Sequence, residues 1–288
     1  MSRFAVLGAT GRMGGTTARA LLNRGHVVRA LTRNPDSSAS RSLASAGAEV
    51  IRTDMTSVES LVQAFSGVHG VFSVQPAFDA RGRHRYDEEL QQGTNVAEAL
   101  RSTAVEHVVF GSAGPGVPSG IPHFDVKLEI EAALRAAGSR VTVLRPAPFM
   151  ELMADPAFQP QLSTWGVEPK VMGWNTPIPW VAAEDIGVVA AGALVQPDEL
   201  GGRELFLAGD ICSLQEARNL FASITGRQPR RLPIPVWLFN RLVGDELARM
   251  WAFIRDRSEA MKLDPGVLRA IHPGALTVEQ WIRRPTNR

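Results

Sequence analysis

Three glycines, Gly8, Gly11 and Gly14, follow directly on the apolar run Phe4-Ala-Val-Leu7 and carry the plainest chemistry in the chain. Gly8 permits a tight turn off a strand, Gly11 lets backbone approach a pyrophosphate, and Gly14 lets the next helix pack close with its N-terminus toward the phosphates. The context is that of a dinucleotide loop, formed by Gly8, Thr10, Gly11, Arg12, Met13 and Gly14. An amphipathic helix follows it (Met13, Ala18, Leu21, Leu22), Gly25 ends that helix, and a second strand runs over residues 26–32. At the end of that strand an NAD site calls for Asp or Glu to accept from the ribose 2'-hydroxyl, whereas a 2'-phosphate calls for Arg. The chain has Arg33 there and no acid before Asp36, and Arg12 can close on the same phosphate from the other side. The expected cofactor is therefore NADP(H).

The elements that must position this loop alternate. Strands are predicted near 3–8, 26–32, 48–52, 68–74, 105–111 and 140–145, with amphipathic helices between them, a further helix from Val181 and a last strand at 204–207. That rhythm gives an α/β fold, a doubly wound parallel sheet of the Rossmann type. Capping boxes start helices at Thr56-Ser-Val-Glu59, Ser213-Leu-Gln-Glu216 and Thr277-Val-Glu-Gln280. Residues 1–147 and 181–208 form the dinucleotide-binding domain. Residues 148–180 and 209–288, rich in Pro, Trp, Met and Phe, form a smaller, discontinuous substrate domain whose large residues are mostly core, the remainder being free to line an apolar cleft.

Composition narrows the class. The 288 residues are 44% hydrophobic and 21% charged with a net charge of +2, which suits a globular enzyme and does not imply nucleic-acid binding. No apolar run approaches the ~18 residues of a membrane span and no signal sequence precedes the first strand, so a cytoplasmic protein is expected. The single Cys212 reads as a plain buried thiol, and the six histidines show no metal-ligand spacing.

The chain resembles the NmrA-like family of atypical short-chain dehydrogenase/reductases over nearly its whole length. The resemblance is carried by Gly8-Ala-Thr-Gly-Arg-Met-Gly14, Thr32-Arg-Asn-Pro35, Pro122-His-Phe-Asp-Val-Lys-Leu-Glu-Ile-Glu131, Val141-Thr-Val-Leu-Arg-Pro-Ala-Pro-Phe-Met-Glu151 and Ala183-Glu-Asp-Ile-Gly187. It implies NADP(H) binding and a substrate domain over the nicotinamide end. The family includes NADPH-dependent reductases of quinones, dyes and phenolics as well as redox sensors that regulate a protein partner.

Ordinary short-chain dehydrogenases set a Ser before Tyr-x-x-x-Lys, where the Tyr donates a proton and the Lys holds the nicotinamide ribose. This chain has Ser112, then His123-Phe-Asp-Val-Lys127, so His stands in place of Tyr. Lysine is scarce, three against twenty-eight arginines, and a compact ammonium suits ribose hydroxyls better than a planar guanidinium does. Lys127 is thus expected on the ribose. For His123 two readings stand, proton donor to a reduced carbonyl or helix cap and pocket wall. Ser112 either hydrogen-bonds substrate or ends its strand. Asp54 either reads the adenine amino group or starts a helix. Val74, Gln75 and Pro76, after the fourth strand, are expected beneath the nicotinamide ribose. Tyr86, in the charged segment 81–89, is expected at the surface. The expected function is hydride transfer from NADPH to an apolar quinone-like, aromatic, enone or ketone substrate. The alternative is a redox sensor without catalysis, and an epimerase is disfavoured by the missing Tyr.

Overall fold

The computed structural model describes residues 1–79, 83–257 and 261–284. From the N-terminus the elements are β1 (Arg3–Val6), α1 (Arg12–Asn23), β2 (Val27–Thr32), α2 (Ser38–Ser45), β3 (Glu49–Arg52), α3 (Val58–Phe65), β4 (Gly70–Ser73), α4 (Tyr86–Arg101), β5 (His107–Gly111), α5 (Pro122–Arg135) and β6 (Arg140–Pro146). There follow α6 (Glu168–Met172), β7 (Ile178–Trp180), α7 (Ala183–Val195), α8 (Pro197–Leu200), β8 (Glu204–Leu207), β9 (Asp210–Cys212), α9 (Leu214–Thr225), α10 (Val236–Val243), α11 (Glu246–Asp256), α12 (Pro265–Ile271) and α13 (Val278–Arg283).

Seven strands form one sheet in the order β3-β2-β1-β4-β5-β6-β8. Its ladders are parallel, with Val6 beside both Ala30 and Phe72. Because helices cover both faces, β4 and β5 are buried at every position rather than at alternate ones. The strand order reverses between β1 and β4, and in such sheets the crevice outside the carboxyl ends at the reversal is where ligands bind. The loops at that reversal are those of Gly8 and Gln75.

The chain divides into two compact units. The first comprises Met1–Asp79, His84–Arg145 and Ile186–Leu205; the second is mainly Pro146–Asp185 and Phe206–Arg288. The core of the second gathers Trp165, Trp180, Trp251, Trp281 and Phe239 around the antiparallel pair β7–β9. Trp237 is among the aromatics outside that core: it stands 68% exposed on α10.

Two of the three predicted capping boxes are present, at Ser213 and Thr277. The third is not. The cap of α3 is Ser57, whose side chain accepts from Ser60 N, and Thr56 turns back to donate its amide and hydroxyl to Asp54 at 2.9 and 2.8 Å. An acceptor two residues upstream outcompetes the box.

Candidate functional site

The glycine loop is backbone geometry. Gly8 has φ +62°, and an added Cβ there would stand 2.7 Å from the Val74 side chain; at Gly14 it would stand 2.3 Å from Gly8 O. The first glycine therefore makes the turn and the third seats α1 against it, while Gly11 N–H closes the loop on Gly8 O at 2.8 Å. Helix α1 begins at Gly11 with no side-chain cap and no acid in its first turn, so its leading amides are left for an anion. Met13 packs beneath, and a Cβ on Gly111 would meet its Cε at 2.7 Å. Thr10 is exposed, Arg12 is half-buried and Arg33 is exposed at the end of β2. The Asp54 carboxylate is held below its usual range by the Thr56 amide and hydroxyl, which is the helix-start geometry.

Val74, Gln75 and Pro76 follow β4. Gln75 is buried, its Nε2 donates to Ser73 Oγ at 2.9 Å, and its Oε1 has no hydrogen-bond partner among the described residues. An orphaned buried acceptor at the sheet's reversal suits a ligand that brings a donor. Together with the uncapped helix and the tight turn at Gly8, it makes these residues fit a dinucleotide.

The far end of this edge is built from buried charge. Glu89 of α4 is 0% exposed, and its carboxylate pairs with the Lys127 ammonium and with His84 Nε2 at 2.8 Å. Helix packing causes the meeting: a Cβ on Gly93 would stand 2.6 Å from Ile130, so α4 and α5 approach closely there. Glu89 and Lys127 each lie one turn before that contact. Although burial opposes ionisation, Lys127 and His84 hold Glu89 well below the carboxylate range, at about 2. Lys127 itself is buried, with its ammonium 5.7 Å from the centre of the Phe110 ring. The ring of His123 packs at 4.9 Å from Phe78 and 5.5 Å from His84. Burial, then the neighbouring Lys127, push its pKa down to about 3, so His123 is a neutral imidazole at pH 7.

Ser112 is engaged elsewhere. Its hydroxyl donates to Glu131 at 2.5 Å and accepts from Arg145 at 3.2 Å, while Arg145 pairs with Glu131 at 2.7 Å. It closes a buried network at the ends of β5 and β6 and keeps no hydroxyl proton for substrate. Tyr86 donates to Glu129, which with burial pushes its pKa up to about 12. Burial likewise carries the Cys212 thiol to about 12, as a plain buried thiol requires.

Sequence reasoning missed Glu89 and His84. Segment 81–89, of which 81 and 82 lie outside the described residues, reads as surface charge, yet Glu89 is fully buried. The available signal was Gly93, a glycine inside an amphipathic helix and so a mark of close packing. The missing ligand spacing also hides a grouping that folding creates: ligand atoms of His84, Glu89 and His123 lie within 4.8 Å of one another. Lys127 already balances the carboxylate's charge there, which sets a cation at a disadvantage.

The other motif residues serve the scaffold. A Cβ on Gly187 would stand 2.5 Å from Thr16, so this glycine lets α7 approach α1. Asp185 accepts from Leu276 N at 3.0 Å and faces His272 at 3.2 Å, and Glu151 accepts from Ala183 N at 3.1 Å.

Comparison with known proteins agrees with this architecture. An NmrA-like oxidoreductase, FrzB of Cladobotryum sp, is 31% identical over 261 residues, covering 81% of this chain and 77% of that protein. The triphenylmethane reductase of Citrobacter sp., solved in complex with NADP(H), superposes with a TM-score of 0.73 at 22% identity over 96% of this chain and 98% of its own. NmrA, a negative transcriptional regulator solved in complex with NADP, superposes with a TM-score of 0.74 at 17% identity, over 99% and 95%. The model of the NmrA-like family matches residues 1–282, and the chain belongs to that family.

Proposed function

We propose that this chain is an NADP(H)-dependent reductase that passes hydride from NADPH to an apolar, conjugated acceptor of quinone, enone or aromatic ketone type. The observation that carries the reading is the uncapped, acid-free start of α1 at the sheet's reversal, with Arg33 at the end of β2 where a ribose 2'-phosphate would lie. Arg12 adds a second cation to that phosphate, and Gln75 offers its unpartnered oxygen to a donor at the ribose end.

NADPH, when bound, supplies the hydride. With the cofactor bound, Lys127 would reach from Glu89 to the nicotinamide ribose, the Glu89 carboxylate holding its ammonium in place until then. His123 stays neutral, because its pKa lies near 3, and its N–H hydrogen-bonds the acceptor oxygen as negative charge develops there. The reduced acceptor's oxygen takes the proton that balances the hydride from water. With its pKa near 3, well below the ordinary imidazole value of about 6.5, the His123 contribution should be level across neutral pH.

A panel of ketones, enones and quinones tests the reading by NADPH oxidation. Turnover of at least one class is expected, with His123→Phe losing most of the rate while NADPH affinity stays. His123 standing where a Tyr would donate favours a second reading, a redox sensor that signals to a protein partner. That reading prevails if NADPH binds tightly, no acceptor is reduced above background, and the cofactor alters protease sensitivity.

A further inference from the structure

The second unit carries a cleft of about 750 Å³ whose lining holds three arginines, three glutamines and no acid. The arginines are Arg218 of α9 and Arg230 and Arg231 of the following segment. Two of them share one support: the guanidinium carbons of Arg218 and Arg231 lie 5.6 and 5.7 Å from the centre of the Trp174 ring. Among the described residues none of the three has an ion pair or a side-chain hydrogen bond. Elsewhere Arg3, Arg29, Arg85, Arg101, Arg145 and Arg284 each face a carboxylate.

Three like charges gathered without a counter-charge repel one another, and the cost is recovered only when an anion enters. Stacking on an indole orders a guanidinium in its plane while leaving its N–H edge free, and that edge matches a phosphate or carboxylate in bidentate fashion. The walls are fixed as well. Leu232 N–H donates to Gln161 O at 2.8 Å, and a Cβ on Gly166 would stand 2.5 Å from Leu232 O, so the two sides of the cleft are tied across a tightly packed floor. The volume falls within the range of small-molecule sites, roughly 300–1,000 Å³.

We infer that this cleft is a binding site for a compact polyanion bearing two or more phosphate or carboxylate groups, separate from the glycine loop. Calorimetric titration of pyrophosphate, with citrate as the carboxylate arm and acetate as a monoanion control, tests it in wild type with and without saturating NADPH. One site per chain is expected for pyrophosphate or citrate and none for acetate. The affinity should persist under NADPH and fall at least tenfold in the double variant Arg230→Gln/Arg231→Gln, whose side chains are exposed and whose loss leaves the core intact. Arg218→Lys, which keeps the charge but loses the fork, should weaken it severalfold. The arm that binds more tightly identifies the anion as phosphate or carboxylate. The inference is overturned by absence of binding to either polyanion, by complete displacement with NADPH, or by binding that the double variant leaves unchanged. The titration without NADPH keeps these outcomes decisive even if the cofactor itself does not bind.

Discussion

The glycine-loop end of the first unit and its α4–α5 end are built on opposite physical principles. At the loop, backbone does the positioning: Gly8 at φ +62° turns the chain, Gly14 admits the helix, and the helix starts on amides that no side chain caps. At α4–α5, side-chain charge does it: a fully buried Glu89 holds a buried Lys127 and a His84 imidazole. The loop needs residues that are small. The helix pair needs residues that are paired, because a buried charge without its partner is severely destabilising. The two ends should therefore fail differently under substitution.

The largest effect is expected at the paired end. Glu89→Ala strands the Lys127 ammonium in the core and should cost about 3–5 kcal/mol of stability, whereas Glu89→Leu combined with Lys127→Met should recover most of that loss. Urea denaturation of the three proteins checks it; a double variant as unstable as the single would show that packing, not charge, holds the helices together. Next comes the loop. Gly14→Ala places a Cβ 2.3 Å from a backbone oxygen and should cost on the order of 1–3 kcal/mol. It should also weaken NADPH at least tenfold, because α1 must shift away from the turn. Stability loss with unchanged affinity would separate the glycine from the cofactor.

Lys127→Arg sharpens the comparison from the ligand's side. It keeps the charge on Glu89 but not the shape for ribose hydroxyls. NADPH affinity or turnover should drop almost as far as in Lys127→Ala, and normal binding by the arginine variant would make the lysine purely structural.

A smaller, pH-dependent effect lies in the second unit. Burial pushes the Glu168 carboxyl up to about 8 from 4.5. Between those values the folded chain holds a proton that the unfolded chain has released. Stability should therefore fall as pH rises through this window. Glu168→Gln should flatten the fall, so that the variant loses less stability than wild type between about pH 5 and 8. His123 acts with the opposite sign, since its folded pKa near 3 lies below the unfolded value of 6.5 and stability is lost as pH falls through that range. Thermal melts of wild type, Glu168→Gln and His123→Phe across pH 4–9 separate the two.

What was legible in the chain follows the same division. Backbone devices act over a few residues, so the glycine loop, the strand rhythm and the Ser213 and Thr277 caps can be read directly. Thr56 misleads because two local acceptors compete within three residues and only the folded turn decides between them. Glu89 and Lys127 lie on different helices and meet only through the close approach at Gly93. Ser112 lies at the predicted strand end, but Glu131 and Arg145, which occupy its hydroxyl, come from α5 and β6. Charge pairing across elements leaves no period in the sequence, and Trp237 shows the converse, an aromatic whose composition suggests core and whose helix face is exposed.

The central claim is that Arg33 and the glycine loop hold the 2'-phosphate of NADPH. Fluorescence titration of wild type and Arg33→Ala with NADPH and NADH, at one ionic strength, tests it most directly. Losing one charged hydrogen bond corresponds to about 1.5–3 kcal/mol, so wild type should bind NADPH at least tenfold more tightly than NADH. Arg33→Ala should abolish that margin by weakening NADPH tenfold to a hundredfold and leaving NADH nearly unchanged. Equal affinities in wild type, or a preference that survives Arg33→Ala, would contradict the account.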